Sequence, residues 1–193
     1  MITIEHKIIL ASSSPRRKEL LQNLGLKFEV ISPDIEEIFP KKMDKKNIAK
    51  YIAEQKALAV RKLKGNDSII IAADSIVLLK QEIIGKPNNS KEAFAILSKL
   101  SGTKHKVITG VCIMFQKKKL CFSETSEVHL KKLKKSEINY YIENFKPYDK
   151  AGSYGIQEWI GLIGVKKING DFYNVTGLPI RKVYKGLQKI TNL

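Results

Sequence analysis

The sequence predicts an α/β protein in which a mixed β-sheet is flanked by helices. Apolar runs with the length of buried strands alternate with helical patterns early in the chain, β-hairpin patterns dominate later, and 43% of the 193 residues are hydrophobic. Strands that alternate with helices favour parallel pairing, and hairpins require antiparallel pairing, so we expect both kinds in one sheet. The length is sufficient for a substantial core.

The first strand and helix carry an unusual pair of cations. The apolar run Ile8–Ala11 predicts a buried strand, and Ser14 and Pro15 suit the N-cap and the first helical position. Arg16 and Arg17 then fall in the first helical turn, where the helix dipole favours acidic side chains. Two interpretations stay open: an anion binds at this helix end, or both arginines are simply exposed.

The next helical pattern places a lysine beside apolar residues. A helix is predicted over residues 44–63, with Lys56 at the edge of its apolar stripe. Such a lysine either extends to water or reaches across the edge of the core toward a phosphate. The acidic loop before this helix contains Glu36 and Glu37, which either hold a divalent cation or face solvent.

A lone carboxylate interrupts the next apolar run. Ser68 to Ala73 is predicted to be a central strand, followed by Asp74, Ser75 and a second apolar segment over 76–79. Burying a carboxylate without a partner is costly, so we interpret Asp74 as a general base or a metal ligand at the end of a rigid strand. The alternative is an exposed aspartate at a strand bend.

The remaining elements are assigned from apolar spacing and turn residues. They are a helix capped by Asn89 and ended by Gly102, strands over 105–115 and 120–130, a helix capped by Ser136 and ended at Lys146-Pro147, a strand over 160–168 turning at Asn169-Gly170-Asp171 into a strand over 172–175, and a last helix after Pro179.

Two loops suit contact with a ligand. Gly85 and Pro87 order the backbone around Lys86, so this lysine is presented from a defined loop. Residues 148–157 combine two glycines, small residues and polar side chains, a composition that permits close approach to a ligand.

Charge and cysteine content restrict the partners. Lys and Arg outnumber Asp and Glu by 35 to 19, giving a net charge of +16. The lysines are scattered, which favours a solvated surface over a nucleic-acid site. Cys112 and Cys121 lie in strand-like runs and are interpreted as buried thiols in a reducing compartment, and His105 and His129 as structural residues. Without a signal-peptide pattern or an apolar run of ~20 residues, we expect a cytoplasmic protein without membrane association.

Cations from five separate segments would form a polyphosphate cradle if the fold gathers them. They are Arg16, Arg17, Lys56, Lys86 and Lys150. Asp74 and the pair Glu36-Glu37 would be the acidic counterpart, and such combinations are typical of phosphate-ester chemistry. The sequence has no GxxxxGK[ST] loop, which excludes a Walker-type site.

Six ordered motifs resemble the Maf family of nucleoside triphosphate pyrophosphatases. They are ASSSPRRKELL (11–21), ADSIV (73–77), GKP (85–87), LSG with His105 and TG (100–110), DKAGSYGIQ (149–157) and GLP (177–179). The resemblance implies an elongated α/β fold related to inosine triphosphate pyrophosphatases, a single domain over 1–193 with two lobes around a central cleft, and a homodimer. It also implies hydrolysis of a nucleoside triphosphate to monophosphate and pyrophosphate with a divalent metal, Mn²⁺ or Mg²⁺.

The resemblance further implies residue roles. Asp74 would accept the proton of the water that attacks the α-phosphate, and Glu37 and Asp74 would bind the metal. With the charge pattern, the substrate-binding positions are Ser12, Arg16, Arg17, Lys56, Lys86 and Lys150. The specificity positions would be Arg16, Ser75 and Gln157.

The loop over 149–157 is similar to the dTTP/UTP branch of the family rather than the 7-methyl-GTP branch. An amide such as that of Gln157 can pair with both the donor and the acceptor of a uracil or thymine edge. The dTTP/UTP branch usually has threonine where this chain has Ser75, which leaves the fine base preference open. The alternatives are the same reaction on a modified pyrimidine or 7-methyl-GTP, or a non-catalytic nucleic-acid-associated or cell-division regulator.

Overall fold

The computed structural model describes residues 4–192. Within this range seven strands form one mixed sheet in the order β2-β1-β3-β5-β6-β7, with β4 paired to β3. The strands are β1 (Ile8–Ala11), β2 (Glu29–Ile31), β3 (Ile69–Leu79), β4 (Glu82–Ile84), β5 (Lys104–Phe115), β6 (Lys118–Leu130) and β7 (Val165–Asn169). The predicted α/β class with a mixed sheet is confirmed.

Helices flank the strands. They are α1 (Pro15–Gln22), α2 (Lys45–Lys64), α3 (Ser90–Leu100), α4 (Lys135–Phe145), α5 (Trp159–Gly164), α6 (Phe172–Thr176) and α7 (Ile180–Thr191). Two short 3₁₀ turns, Pro147–Asp149 and Ala151–Ser153, lie between α4 and α5. None of the helices in the described part of the chain combines the length and the apolar character needed to cross a bilayer.

The chain divides into two compact units. The first comprises the chain up to Asp74, Thr109–Glu124 and the segment from Gly177, and the second comprises Ser75–Ile108 and Thr125–Thr176. The long strands β3, β5 and β6 therefore contribute to both units. In the first unit β1 pairs in parallel with both β2 and β3, whereas in the second β4 and β7 pair antiparallel with β3 and β6.

Both faces of the sheet are buried in the first unit. Ile8 and Leu10 pack in one apolar cluster with residues of α1 and α7, and the alternating residues Ile9 and Ala11 pack in another with residues of α2. Burial on two faces explains why β1 is a continuous apolar run. A Cβ on Gly110 of β5 would lie 2.1 Å from the Lys50 nitrogen, so α2 contacts the sheet at backbone distance there.

The second unit has its own core. Tyr141 of α4 is fully buried in a cluster with residues of α3, α5 and the sheet, including Leu97, Val128 and Ile160. Residues 149–157, which connect α4 to α5, contribute Tyr154 and Ile156 to the same cluster. The ligand-contact loop expected from the sequence is therefore anchored in a core rather than detached from it.

The strand predicted over 160–168 is wrong in its first half, because Trp159–Gly164 forms α5 and the strand begins only at Val165. Periodicity does not separate a short buried helix from a buried strand. The glycine in the middle of the run decides here, since a Cβ on Gly161 would lie 1.8 Å from the Ile156 carbonyl oxygen.

The hairpin predicted at 169–171 is also wrong, because the chain continues as α6 and not as a strand. Asp171 begins this helix instead of turning a hairpin: its carboxylate accepts a hydrogen bond from the Tyr173 N–H at 2.8 Å. An aspartate that satisfies a backbone N–H two residues later favours a helix start over a type I′ turn.

Two smaller predictions also need correction. Helix α4 begins after Lys134 rather than at a Ser136 cap, because the Glu137 carboxylate accepts from the Lys134 N–H at 2.7 Å.

Cys112 and Cys121 are not thiols but form a disulfide. They lie on β5 and β6, strands that follow one another through a short turn, and their Cα atoms are 4.2 Å apart.

Candidate active site

The parallel pairing of β1 with β3 brings two distant motifs to one edge of the sheet. Ala11, the last residue of β1, is paired with Ala72, so the serine-rich segment after β1 begins near the level of Asp74 on β3. The prediction that Asp74 lies at the end of a strand is wrong, because β3 continues to Leu79. Ala11 is also paired with Ile31, so the acidic loop after β2 leaves from the same end as the serine-rich segment. The carboxyl ends of parallel strands are the usual position of binding sites in open α/β sheets.

Asp74 is buried and paired with a lysine. The Lys56 ammonium group donates to Asp74 Oδ1 at 2.7 Å and to Glu37 Oε1 at 2.6 Å. The Lys56 and Asp74 side chains are 10% and 9% exposed, whereas Glu37 is 44% exposed. We call these three residues the Lys56 cluster. The exposed-bend interpretation of Asp74 is wrong, and its partner is the lysine on the apolar face of α2.

Arg17 connects the start of α1 to the same region. Its Nε donates to the Gly177 carbonyl oxygen at 2.8 Å, and its NH1 donates to Ser12 Oγ at 3.2 Å. The Ser14 N–H also donates to Ser12 Oγ, at 3.2 Å, which holds the hydroxyl at the helix start.

The charges around Arg17 show which groups are near it. Burial lowers the pKa of Arg17, the Asp74 carboxylate raises it, the Arg16 cation lowers it, and Glu37 raises it. An arginine keeps its proton in proteins, so the group is a fixed cation. Three cations, two carboxylates and a hydroxyl therefore lie near one another: Arg16, Arg17 and Lys56, Glu37 and Asp74, and Ser12.

The remaining predicted positions belong to the second unit. Ser75 follows Asp74 on β3 and is partly buried, and Lys86 and Gln157 are exposed. A backbone hydrogen bond of 3.1 Å from the Gly152 N–H to the Gly85 carbonyl oxygen joins the Lys86 segment to the loop over 149–157.

Lys150 is buried and already paired. Its ammonium group lies 2.8 Å from Asp149 Oδ1 and 3.2 Å from Glu158 Oε1, with 9% of the side chain exposed. The other oxygen of Glu158 accepts from the Tyr141 hydroxyl, which in turn accepts from the Gly155 N–H at 2.9 Å. We call these residues the Lys150 network.

The structure thus gathers part of the predicted site within each unit. Ser12, Arg17, Glu37, Lys56 and Asp74 are brought together in the first unit, with Arg16 close enough for its charge to act on Arg17. In the second unit the Lys86 and Lys150 segments are hydrogen-bonded to one another. Sequence reasoning missed Glu158 and the hydroxyl of Tyr141, although a tyrosine on an apolar helix face signals a hydroxyl that needs a partner.

His105, His129 and the β6 carboxylates Glu124 and Glu127 form separate pairs. His105 Nε2 is 2.7 Å from the Tyr154 hydroxyl, and burial lowers the pKa of His105 to about 4 with a smaller contribution from His129. His129 Nε2 lies 2.7 Å from Glu127 Oε1, and Glu124 is paired with Lys182 of α7. Residues 4–192 contain no group of three or more His, Cys, Asp or Glu side chains arranged to hold a metal ion.

Comparison with known proteins finds matches over nearly the whole chain. The family model described as Maf-like protein matches residues 7–190. A protein of Parabacteroides distasonis named dTTP/UTP pyrophosphatase is 51% identical over 185 residues, covering 95% of this chain and 96% of its own length. One of Phocaeicola vulgatus with the same name is 51% identical over 187 residues, covering 96% and 97%.

Among solved structures, a HAM1 protein from Coxiella burnetii is 20% identical with a TM-score of 0.48, covering 65% of this chain and 73% of its own. The family match over residues 7–190 and the relatives at about half identity agree with the resemblance that the sequence motifs carry. The chain belongs to the Maf-like protein family.

Proposed function

We propose that the protein is a nucleoside triphosphate pyrophosphatase that hydrolyses dTTP and UTP to the monophosphate and pyrophosphate. The observation that carries the proposal is the buried Asp74 carboxylate, held by Lys56 beside the arginines and serines at the start of α1. The relatives named dTTP/UTP pyrophosphatase align with nearly the whole chain, which supports the same reaction here.

In the proposed reaction Asp74 accepts a proton from a water molecule. The water oxygen forms a bond to the α-phosphorus, the bond from that phosphorus to the bridging oxygen breaks, and pyrophosphate leaves with the electron pair. Lys56 orients the carboxylate through its 2.7 Å contact. Without this partner, a carboxylate that is 9% exposed would be costly to keep ionised.

The phosphates are proposed to bind at the start of α1. Backbone N–H groups at a helix start and guanidinium groups both favour phosphate oxygens. Arg16, Arg17 and the Ser12 hydroxyl are the groups that would contact them, and the contact of Arg17 with the Gly177 carbonyl fixes the direction of its guanidinium. Lys86 and Lys150 are further proposed substrate-binding residues, and Arg16, Ser75 and Gln157 are proposed to select the base.

The donor set fits a divalent metal such as Mg²⁺ or Mn²⁺. Glu37 and Asp74 supply hard oxygen ligands, and their oxygens share one donor, so they lie close together. Two carboxylates are sufficient when substrate phosphates complete the coordination. When bound, the metal would neutralise phosphate charge. Glu37 is the more exposed ligand and can turn from Lys56 toward a cation at lower cost than Asp74.

The setting of the enzyme is also part of the proposal. We infer one functional domain, because the family match runs without interruption from 7 to 190, and a cytoplasmic homodimer that sanitises the nucleotide pool. Light scattering, which gives the molar mass in solution, tests the dimer: a mass of twice that of the chain is expected. We expect no nucleic-acid partner, since the lysines are scattered; binding to DNA or RNA that weakens steeply with salt would contradict this expectation.

The decisive experiment measures pyrophosphate release from dTTP, UTP, CTP, 7-methyl-GTP and modified pyrimidine triphosphates with Mn²⁺. Removing the proton acceptor in Asp74→Asn is expected to lower kcat by about 10³-fold. Asp67→Asn, which changes an exposed acid just before β3, is the matched control and should retain wild-type rates. Activity confined to another nucleotide would contradict the proposed preference for dTTP and UTP. A wild-type protein that releases pyrophosphate from none of these nucleotides would contradict the proposed reaction.

A further inference from the structure

The loop over 149–157 is fixed by its own backbone. The Lys150 N–H donates to the Pro147 carbonyl, the Ser153 N–H donates to the Lys150 carbonyl, and the Glu158 N–H donates to the Gly155 carbonyl, over 3.0–3.3 Å. Gly152 has a φ of 76°, and a Cβ there would lie 3.1 Å from a methyl group of Val77. These bonds and contacts hold the main chain of the loop against the core of the second unit.

One side chain connects the two ends of this loop. Glu158 follows the loop, yet its Oε1 lies 3.2 Å from the ammonium group of Lys150 near the loop's start. Its Oε2 accepts from the Tyr141 hydroxyl of α4, and that hydroxyl accepts from the Gly155 N–H inside the loop. A single carboxylate therefore couples the start of the loop, its middle and the preceding helix.

The Glu158 carboxylate and the Gly155 backbone lie so close that no side chain fits between them. A Cβ on Gly155 would lie 2.6 Å from the carboxyl carbon of Glu158, so the carboxylate packs directly on the Gly155 backbone. Tyr141 is fully buried, and its ring stacks on Phe145 with centroids 5.0 Å apart. The hydroxyl that holds Gly155 is consequently carried by an immobile ring.

Gln157 is the exposed residue between the buried Ile156 and the anchored Glu158. Its backbone is restrained on both sides, whereas its own side chain is open to a ligand. A hydrogen-bonding amide discriminates between bases only when its position is fixed to within about half an ångström. The Lys150 network supplies that restraint.

We propose that Glu158 and Tyr141 are positioning residues that fix the amide of Gln157 for recognition of the pyrimidine edge, a proposal that rests on the proposed function. The role of Lys150 follows from the same contacts. Its charge is countered by Asp149 and Glu158, so it holds Glu158 in place as the second donor to that carboxylate.

The experiment compares two conservative variants with two matched controls. Tyr141→Phe removes only the hydroxyl, and Glu158→Gln removes the charge that faces Lys150. Tyr140→Phe changes the neighbouring tyrosine of α4, which is 49% exposed and contacts Trp159 through its ring. Glu143→Gln changes an exposed acid on the same helix.

We expect both network variants to raise KM for UTP and dTTP about tenfold and to change kcat by less than about threefold. The preference for UTP over CTP should fall in parallel, because the misplaced amide no longer distinguishes the two edges. Amide hydrogen exchange over 151–157 should accelerate in both variants. The controls should match wild type in all three measurements, and Glu158→Asp should restore part of the selectivity.

The proposal would be wrong if Tyr141→Phe and Glu158→Gln lowered the melting temperature but left KM and selectivity unchanged. Tyr141 and Glu158 would then contribute to stability and not to base recognition. Unchanged exchange over 151–157 would overturn it as well. The exchange measurement needs no turnover, so it decides on the loop even if the wild type released no pyrophosphate from any nucleotide. An absence of pyrophosphate release by the wild-type protein would instead refute the proposed function.

Discussion

Each of the two units contains a nearly buried lysine that contacts two carboxylates, and the two clusters differ in what surrounds those carboxylates. Lys56 lies 2.6 and 2.7 Å from Glu37 and Asp74, and Lys150 lies 2.8 and 3.2 Å from Asp149 and Glu158. The lysine side chains are 10% and 9% exposed. Burial and pairing alone therefore do not distinguish the two sites.

The surroundings of the carboxylates do distinguish them. In the Lys150 network the more buried carboxylate, Glu158, is committed to a phenol that in turn holds the backbone of Gly155. In the Lys56 cluster the more buried carboxylate, Asp74, lies near enough to Arg17 for its charge to act on the guanidinium group, which in turn donates to the Ser12 hydroxyl. The first arrangement ends in the main chain, and the second ends in a hydroxyl and a guanidinium group, which are the groups proposed to contact the phosphates.

The difference teaches that the partners of a buried ion pair indicate its role better than the ion pair itself. Breaking a buried pair is destabilising wherever it lies, because an uncompensated charge remains. What differs is whether the charge also acts on a reacting group. Mutating the two lysines in parallel separates these effects.

Lys56→Met and Lys150→Met are therefore expected to fail in different ways. The first should lower kcat by about 10²-fold, since it removes the donor that orients the proposed proton acceptor. The second should raise KM about tenfold and change kcat by less than about threefold, because it loosens the loop that carries Gln157. Steady-state kinetics with UTP and dTTP measure both, and thermal unfolding controls for folding.

The comparison would be broken if Lys150→Met abolished kcat while Lys56→Met raised only KM. Equal loss of kcat in both variants would mean that both lysines act on the reacting groups. Lys146→Met, which replaces an exposed lysine shortly before the loop, serves as the control and should leave kcat and KM near wild type.

Much of the Lys56 cluster, and of the neighbouring start of α1, can be predicted from residues that do not suit their local structure. Arg16 and Arg17 oppose a helix dipole, Lys56 interrupts an apolar face, and Asp74 interrupts an apolar strand. Each anomaly signals a missing partner, but the sequence does not say which partner, because the choice depends on the parallel register of β1 with β3. The ion pair of Lys56 with Asp74 therefore appears only in the fold.

The Lys150 network was less predictable because its key groups look ordinary in sequence. Tyr141 fits the apolar face of a helix, and Glu158 is a charged residue next to a loop. The prediction for the fold near them is also wrong in part, since the run from Ile160 to Ile168 reads as one strand. Its helical half depends on the close contact of Gly161 with the Ile156 carbonyl, which no periodicity reveals.

Gly110 tests how the first unit positions its lysine. A methyl group in Gly110→Ala would lie 2.1 Å from the Lys50 nitrogen and 2.4 Å from the Ala49 carbonyl oxygen, so α2 must move away from β5. We expect a loss of about 3 kcal/mol in the free energy of unfolding, and a fall in melting temperature of about 10 °C. Because α2 carries Lys56, kcat should fall as well.

Gly85→Ala is the matched control for stability, since its added methyl group meets no atom within 4 Å. Its melting temperature should stay close to wild type. A Gly110→Ala protein as stable as this control would contradict the close approach of α2 to the sheet and, with it, the placement of the Lys56 cluster.

The stability contributed by His105 depends on pH, and this histidine lies in the second unit, so it tests that unit separately from the first. Burial lowers the pKa of His105 to about 4, from an ordinary value of 6.5, and the His129 charge adds to the shift. Between these values the unfolded chain binds a proton and the folded chain does not. Stability is therefore complete above pH 6.5 and falls as the pH is lowered toward 4, by about 2 kcal/mol at pH 5.

Urea unfolding at pH 7.5 and pH 5 measures this loss. His105→Gln removes the titrating group while keeping a polar partner for the Tyr154 hydroxyl, so its stability should depend less on pH by about the same 2 kcal/mol. His6→Gln removes an exposed imidazole of the first unit and should retain the wild-type dependence. If His105→Gln kept the full acid sensitivity, the loss would have to arise from carboxylates such as Glu127 and Glu137, whose pKa is lowered by hydrogen bonds from His129 and Lys131.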